Sequence, residues 1–196
     1  MRHLGTLPLQ AGEYHLRRIT MKDVPAAYQN WLSDPECCRF LRSAPHRSPA
    51  ETEGFLAEQV ARYCDRTRYF WAIADRNDQP VGCIGVSVPL RGTTGSVVFI
   101  VGRPWWGQGI ASSCLREVLR FLFEDVGFRR IEGVCACRNP ASGAVMRRAG
   151  MEYECALSLS LRTGDGPQPC ERYSVAAEDW LQKNADGRGN PRGTGR

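Results

Sequence analysis

One stretch constrains the fold of this chain more than any other. The apolar run SVVFIV (96–101) gives way to Gly102-Arg-Pro-Trp-Trp-Gly-Gln-Gly109, and a helical pattern begins at once. A short β-branched run bounded by turn residues reads as a buried strand. The segment from Gln108 to Val126 carries an apolar stripe of Ile110, Cys114, Leu115, Val118, Leu119 and Leu122, with Arg116, Glu117, Arg120 and Glu124 on the other side. That is a helix packed on a sheet. Gly107 and Gly109 stand in the corner between strand and helix. Glycines let a ligand approach the backbone, and the first turn of a helix presents unpaired N–H groups at the positive end of its dipole. The corner is therefore built to hold an anion, most simply a phosphate.

The rest of the chain supplies a frame for that corner. EYHLRRIT (13–20) reads as a first strand and residues 21–36 as a short helix, with Asp23 as its cap, Pro25 in its first turn and Ser33-Asp-Pro35 as its stop. A second helix spans Ser48 to Arg66, opened by Ser48-Pro49. RYFWAIAD (68–75) and VGCIGVSVPL (81–90) form a hairpin about RNDQP, and the strand 96–101 follows. After the long helix, Gly127 is the expected C-terminal stop. RIEGVCAC (130–137) is a fifth strand, Asn139-Pro140 opens a short helix ending at Gly150, and ECALSLSL and ERYSVA are two more strands. The order predicts an α/β domain with one central mixed sheet flanked by helices.

At 196 residues the chain suits one domain, assigned here to residues 1–183. Residues 184–196 are rich in Gly, Asn and Arg and read as a disordered tail. From Lys183 onward the chain carries a net +3 of the formal charge of +5, but no aromatic residues interleave with it, so no specific nucleic-acid partner is expected. No apolar run is long enough for a membrane span and no signal peptide opens the chain; the expected place is the cytoplasm. The nine cysteines form no C-x-x-C pair and the three histidines are scattered, so no metal site is expected.

Three ligand classes use a strand–glycine–helix corner. A P-loop needs Gly-Lys-Ser/Thr after the second glycine, and the sequence has Ile110-Ala111. A dinucleotide site wants G-x-G-x-x-G and an acid ending the next strand, and the sequence has Gly107-Gln-Gly109-Ile-Ala-Ser112 and then Cys137-Arg138-Asn139. Coenzyme A remains. Gly102-Arg-Pro-Trp-Trp-Gly-Gln-Gly-Ile-Ala-Ser112 resembles the acetyl-CoA loop of the GNAT superfamily of N-acetyltransferases, in particular the branch that acetylates the N-termini of ribosomal proteins (RimJ/RimL-like). Gly127-Phe-Arg-Arg-Ile-Glu132, Asn139-Pro-Ala-Ser142, Arg148-Ala-Gly150, Leu16-Arg-Arg-Ile-Thr-Met-Lys-Asp23 and Trp31-Leu-Ser-Asp-Pro-Glu36 extend the resemblance, in order, over about residues 13 to 180.

The resemblance implies a sheet splayed between the fourth and fifth strands, with acetyl-CoA as co-substrate in the opening. It implies that backbone groups of Phe99, Ile100 and Val101 hold the pantetheine arm, and that Gly107, Gln108, Gly109, Ile110, Ala111 and Ser112 surround the pyrophosphate. Trp106 stands where the family loop often begins with Arg or Gln; Trp105 and Trp106 either touch a ligand or plug the start of the helix. Asn139 is a good N-cap in its own right, and the resemblance adds a contact to the cofactor arm. Ser142 is both a first-turn hydroxyl and, by resemblance, a cofactor contact.

Two departures bear on mechanism. Met146 replaces the Tyr that many members use to protonate the leaving thiolate, which leaves Ser142 as the candidate donor. Ser96 replaces a Glu that many members use as base; Glu132, acting through water, is the candidate substitute, although it also reads as an ordinary surface strand residue. An α-amine of pKa about 7.8 is roughly a quarter neutral at pH 7.4, against about 0.1% for lysine, so a missing base favours a protein N-terminus as acceptor. The alternatives are a small amine (aminoglycoside, polyamine or amino sugar), which Asp34, Glu36, Glu51 and Glu171 could attract, and a non-catalytic acyl-CoA-binding module. The sequence leaves the oligomeric state open and is compatible with a homodimer.

Overall fold

The computed structural model describes residues 1–89, 92–163 and 166–188. Among the described residues eight strands, β1 (Leu9–Ala11), β2 (Tyr14–Arg17), β3 (Tyr69–Ala74), β4 (Pro80–Ser87), β5 (Thr94–Val101), β6 (Arg130–Ala136), β7 (Glu152–Thr163) and β8 (Gly166–Ala176), form one sheet in the order β1-β2-β3-β4-β5-β6-β8-β7, antiparallel throughout except between β5 and β6.

The first expected strand, 13–20, is β2 (Tyr14–Arg17), and it is preceded by a short strand that was not expected, β1 (Leu9–Ala11), the two forming a hairpin turned by Gly12 at φ 63°. The first expected helix is divided. A 3-10 turn (Met21–Asp23) leads into α1 (Val24–Ala27) and a wider π turn (Tyr28–Leu32), and a separate helix α2 (Pro35–Cys38) follows. Pro35 lacks the N–H needed to continue the first helix and is well suited to start the next. Asp23 is buried; it accepts the Thr20 N–H at 2.7 Å and takes both terminal nitrogens of Arg17 at 2.8 and 2.9 Å. It therefore fastens the start of the helical segment to β2.

After α3 (Pro49–Ala61) come β3 (Tyr69–Ala74), β4 (Pro80–Ser87) and β5 (Thr94–Val101). β3 is buried on both sides and reads as a continuous apolar run for that reason. Tyr69, Trp71 and Ile73 face the core under α4 (Ile110–Arg120), while Phe70 and Ala72 face the core under α1 and α3. All six predicted stripe residues of the long helix are buried. A π turn carries that helix on through Val126 to Gly127, whose φ of 89° ends it.

β6 (Arg130–Ala136), α5 (Pro140–Arg148), β7 (Glu152–Thr163) and β8 (Gly166–Ala176) complete the second half. A final helix, α6 (Ala177–Arg188), lies beyond the last expected strand and overlaps the start of the segment assigned to the tail. Trp180 secures it, with its ring centroid 5.8 Å from that of Phe123. The remaining tail residues, 189–196, lie outside the described residues. No helix among the described residues is long and apolar enough to cross a membrane.

Candidate active site

The sheet opens in its middle. β5 and β6 pair from Thr94↔Arg130 to Val97↔Gly133 and then part, so that Val98–Val101 keep only β4 and Val134–Ala136 keep only β8. Which β5 groups face the opening follows from the ladder. The Gly102 N–H bonds to the Val81 carbonyl at 2.8 Å in a register that pairs Gly82 with Val101 and Cys83 with Ile100. Antiparallel pairs alternate, so the Ile100 backbone is spent on Cys83, and the Phe99 and Val101 backbones turn away from β4 toward the opening. Ile100 thus does not offer the backbone contact expected of it; it is the member of the trio whose groups the sheet itself uses.

The corner follows directly. A 3-10 turn (Arg103–Trp105) leads to Gly107 at φ 76° and Gly109 at φ 77°, and a Cβ on either would meet no protein atom within 4 Å. The first backbone bond of α4 is from the Ser113 N–H to the Gly109 carbonyl at 3.0 Å, and no side chain caps the helix. Among the described residues, no acceptor takes the N–H groups of Gln108, Gly109, Ile110, Ala111 or Ser112. The Ser112 hydroxyl is buried without a hydrogen-bond partner. Trp105 packs its ring against Gly102. Trp106 is 49% exposed, and its indole N–H donates to the Val101 carbonyl at 2.7 Å.

Across the opening, Asn139 caps α5 by accepting the Ser142 N–H at 3.3 Å, and its amide donates to Ser142 Oγ at 3.0 Å. Cap and hydroxyl form one unit at the mouth of the helix. Ser96 and Glu132 are register partners on β5 and β6, so Glu132 stands beside the position where Ser96 replaces an acid; its carboxylate lies 3.6 Å from Arg172 Nε. Met146 is buried over Gly133, where a Cβ would come within 2.5 Å of its sulfur.

These features fit a known family. The acetyltransferase (GNAT) domain family matches residues 14–152, a span that includes both arms of the opening, the corner and all of α5. The chain belongs to the GNAT acetyltransferase family. As a member it is an N-acetyltransferase, of a fold that uses acetyl-CoA. It is 34% identical over 89 residues to an FsC-acetyl coenzyme A-N(2)-transacetylase of Aspergillus fumigatus, a match that spans 43% of this chain and only 37% of that protein. It is 22% identical over 169 residues to the uncharacterized N-acetyltransferase YoaA of Bacillus subtilis, covering 85% of this chain and 95% of that one. Among solved structures it is similar to RimL, a ribosomal L7/L12 alpha-N-protein acetyltransferase in complex with coenzyme A, with a TM-score of 0.78 at 19% identity over 87% of this chain and 98% of that one. At that identity the likeness is one of fold.

Some participants were not visible in the sequence. Asp34, read there as an acid for a cationic acceptor, is instead paired with Arg103 at 3.0 Å and caps α2. Glu51 accepts the Arg47 N–H at 3.0 Å, and Glu171 accepts the Tyr173 hydroxyl at 3.0 Å. Arg147 of α5 donates to that same hydroxyl at 2.8 Å, and a Cβ at Gly143 would lie 2.7 Å from it. Burial first and Glu171 second raise the Tyr173 pKa. Tyr173 thus fastens α5, one residue beyond Ser142, to the sheet. The cue was a glycine inside a helix, which often marks a close approach. Cys37, near the end of β5, donates to the Val101 carbonyl at 3.9 Å, and burial pushes its thiol up to about 11.

Proposed function

We propose that residues 1–183 form an acetyltransferase domain that transfers the acetyl group of acetyl-CoA directly to a primary amine, a protein N-terminal α-amine, in a ternary complex. The observation that carries this reading is the run of unpaired N–H groups from Gln108 to Ser112 beside a sheet that opens at Val97 and Gly133. In this reading the pyrophosphate lies on those amides, where Gly107 and Gly109 leave the approach clear, and the helix dipole adds to the attraction. The pantetheine arm runs along β5 as an added strand, against Phe99 and Val101. The Val101 N–H polarises the thioester carbonyl.

The acceptor amine attacks the carbonyl carbon, the C–S bond breaks, and the thiolate takes a proton. Ser142, held by Asn139, donates that proton or stabilises the thiolate. Glu132 takes the proton from the amine through water. An α-amine asks little of such a base, because a large fraction of it is already neutral near pH 7.4.

The relatives support the acceptor reading by analogy, since RimL acts on the α-amine of a ribosomal protein. Against a polycationic small molecule stands the pairing of Asp34 with Arg103, which already neutralises one of the acids that could attract it. The test is thiol release from acetyl-CoA across a panel of peptides with free N-termini, N-terminally blocked lysine peptides, polyamines and aminoglycosides. Turnover with free N-termini and little with blocked lysine peptides is the expected result. Turnover confined to polyamines or aminoglycosides would replace the acceptor assignment, and tight acetyl-CoA binding without turnover would reduce the domain to a binding module.

A further inference from the structure

Arg103 stands immediately before the corner, in the 3-10 turn that leads to it, and its Nε lies 3.0 Å from Asp34 Oδ2. The other oxygen of that carboxylate accepts the Glu36 N–H at 2.9 Å and so caps α2. One carboxylate therefore joins the start of α2, beside the core under α1 and α3, to the turn that enters the amide corner. Asp34 is largely shielded, at 13% side-chain exposure, while Arg103, at 60%, reaches it from the solvent side, so the pair acts more by fixing geometry than by its strength. Two further contacts run between the same parts. The Cys37 thiol reaches the Val101 carbonyl, which Trp106 also holds. Gly102 approaches the Asn30 carbonyl so closely that a Cβ would lie 2.5 Å from it.

We propose that Asp34 and Arg103 are positioning residues that tie acetyl-CoA binding at the corner to the order of α2. The inference rests on the acetyl-CoA reading and deepens it. A diphosphate on the Gln108–Ser112 amides restrains the turn that carries Arg103. Through the ion pair it restrains the cap of α2, so α2 is ordered once the donor is bound. Coupling of this kind is reciprocal: any contact that orders α2 also tightens acetyl-CoA. Neither residue is needed for the diphosphate contact itself, which is made by backbone.

The test is hydrogen exchange of the full chain with and without coenzyme A, read separately over residues 103–112 and 32–41. In the natural protein, coenzyme A should slow both segments, the second by about fivefold or more, the lower end of ordinary coupling. Arg103→Gln should keep the slowing in 103–112 and lose it in 32–41. Asp34→Asn should do the same, because asparagine still serves as an N-cap and removes only the charge. Arg103→Lys should recover part of the second effect. Slowing in 32–41 that survives both Arg103→Gln and Asp34→Asn, or slowing in 103–112 alone in the natural protein, overturns the tie while leaving the donor site intact. Slowing in neither segment overturns the acetyl-CoA reading and the tie with it.

Discussion

The indole N–H of Trp106 donates to the carbonyl of Val101 at 2.7 Å, so a half-exposed aromatic side chain closes the last carbonyl of β5 at the edge of the opening. Trp106→Phe keeps the ring and removes the donor. A hydrogen bond of this kind is worth about 1 kcal/mol net, so the KM for acetyl-CoA should rise about fivefold. Thermal stability should hardly change, because the ring is half in water. Steady-state kinetics beside a melting curve checks both.

Gly107→Ala and Gly109→Ala test the corner. A methyl group at either meets no protein atom, so the protein-side penalty is the left-handed backbone alone, about 1 kcal/mol or slightly more. A bound diphosphate adds its own clash with the methyl. Each variant should therefore weaken coenzyme A by more than about tenfold while the fold tolerates it. Titration of coenzyme A by fluorescence of the neighbouring tryptophans measures this directly.

Ser142 and Asn139 should separate kinetically. Ser142→Ala removes the hydroxyl and keeps the cap, so kcat should fall by about tenfold or more with the acetyl-CoA KM unchanged. Asn139→Ala loses the cap, about 1 kcal/mol, and releases Ser142. It should lower kcat and also the melting temperature by about 2–4 °C.

His46 gives a pH dependence to stability. Its ring takes part in a 2.8 Å hydrogen bond with Thr52 Oγ1 and lies edge-on to Phe55, and burial lowers its pKa, with Glu51 opposing. A histidine whose folded pKa is depressed binds its proton more readily when unfolded. Stability is therefore undiminished above the unfolded value of about 6.5 and is lost as pH falls through it toward the folded value. Urea midpoints at pH 7.5 and pH 5.5 should differ in that direction, and His46→Gln should shrink the difference.

The features legible in the sequence were those with a local cause. The α4 stripe announces itself by its period, the corner by two glycines before a helix, and α5 by Asn139-Pro140. The stop at Ser33-Asp-Pro35 is local too, whereas β1 is only three residues long and lies before the alternating stretch 13–20, so it left no period to read. α6 has little apolar stripe beyond Trp180 and Leu181, so only the acids of its first turn, Glu178 and Asp179, hinted at it. The rest depends on pairing that no short window contains. Ile100 faces β4 because of strand register. Asp34 meets Arg103, and Tyr173 meets Gly143, only once distant segments are packed together. The candidate site was thus readable as backbone, and its supporting contacts were not.

The most direct test of the diphosphate-binding corner is a calorimetric titration of the full chain with coenzyme A and, separately, with pantetheine, which lacks the diphosphate and the nucleotide beyond it, with 3′-phosphoadenosine alone as the control for the nucleotide. Amides gripping a charged diphosphate predict saturable heat with coenzyme A and binding of pantetheine weaker by about a hundredfold, the worth of roughly two charge-assisted hydrogen bonds. Equal affinity for the two, or no heat with coenzyme A at high protein concentration, would contradict it.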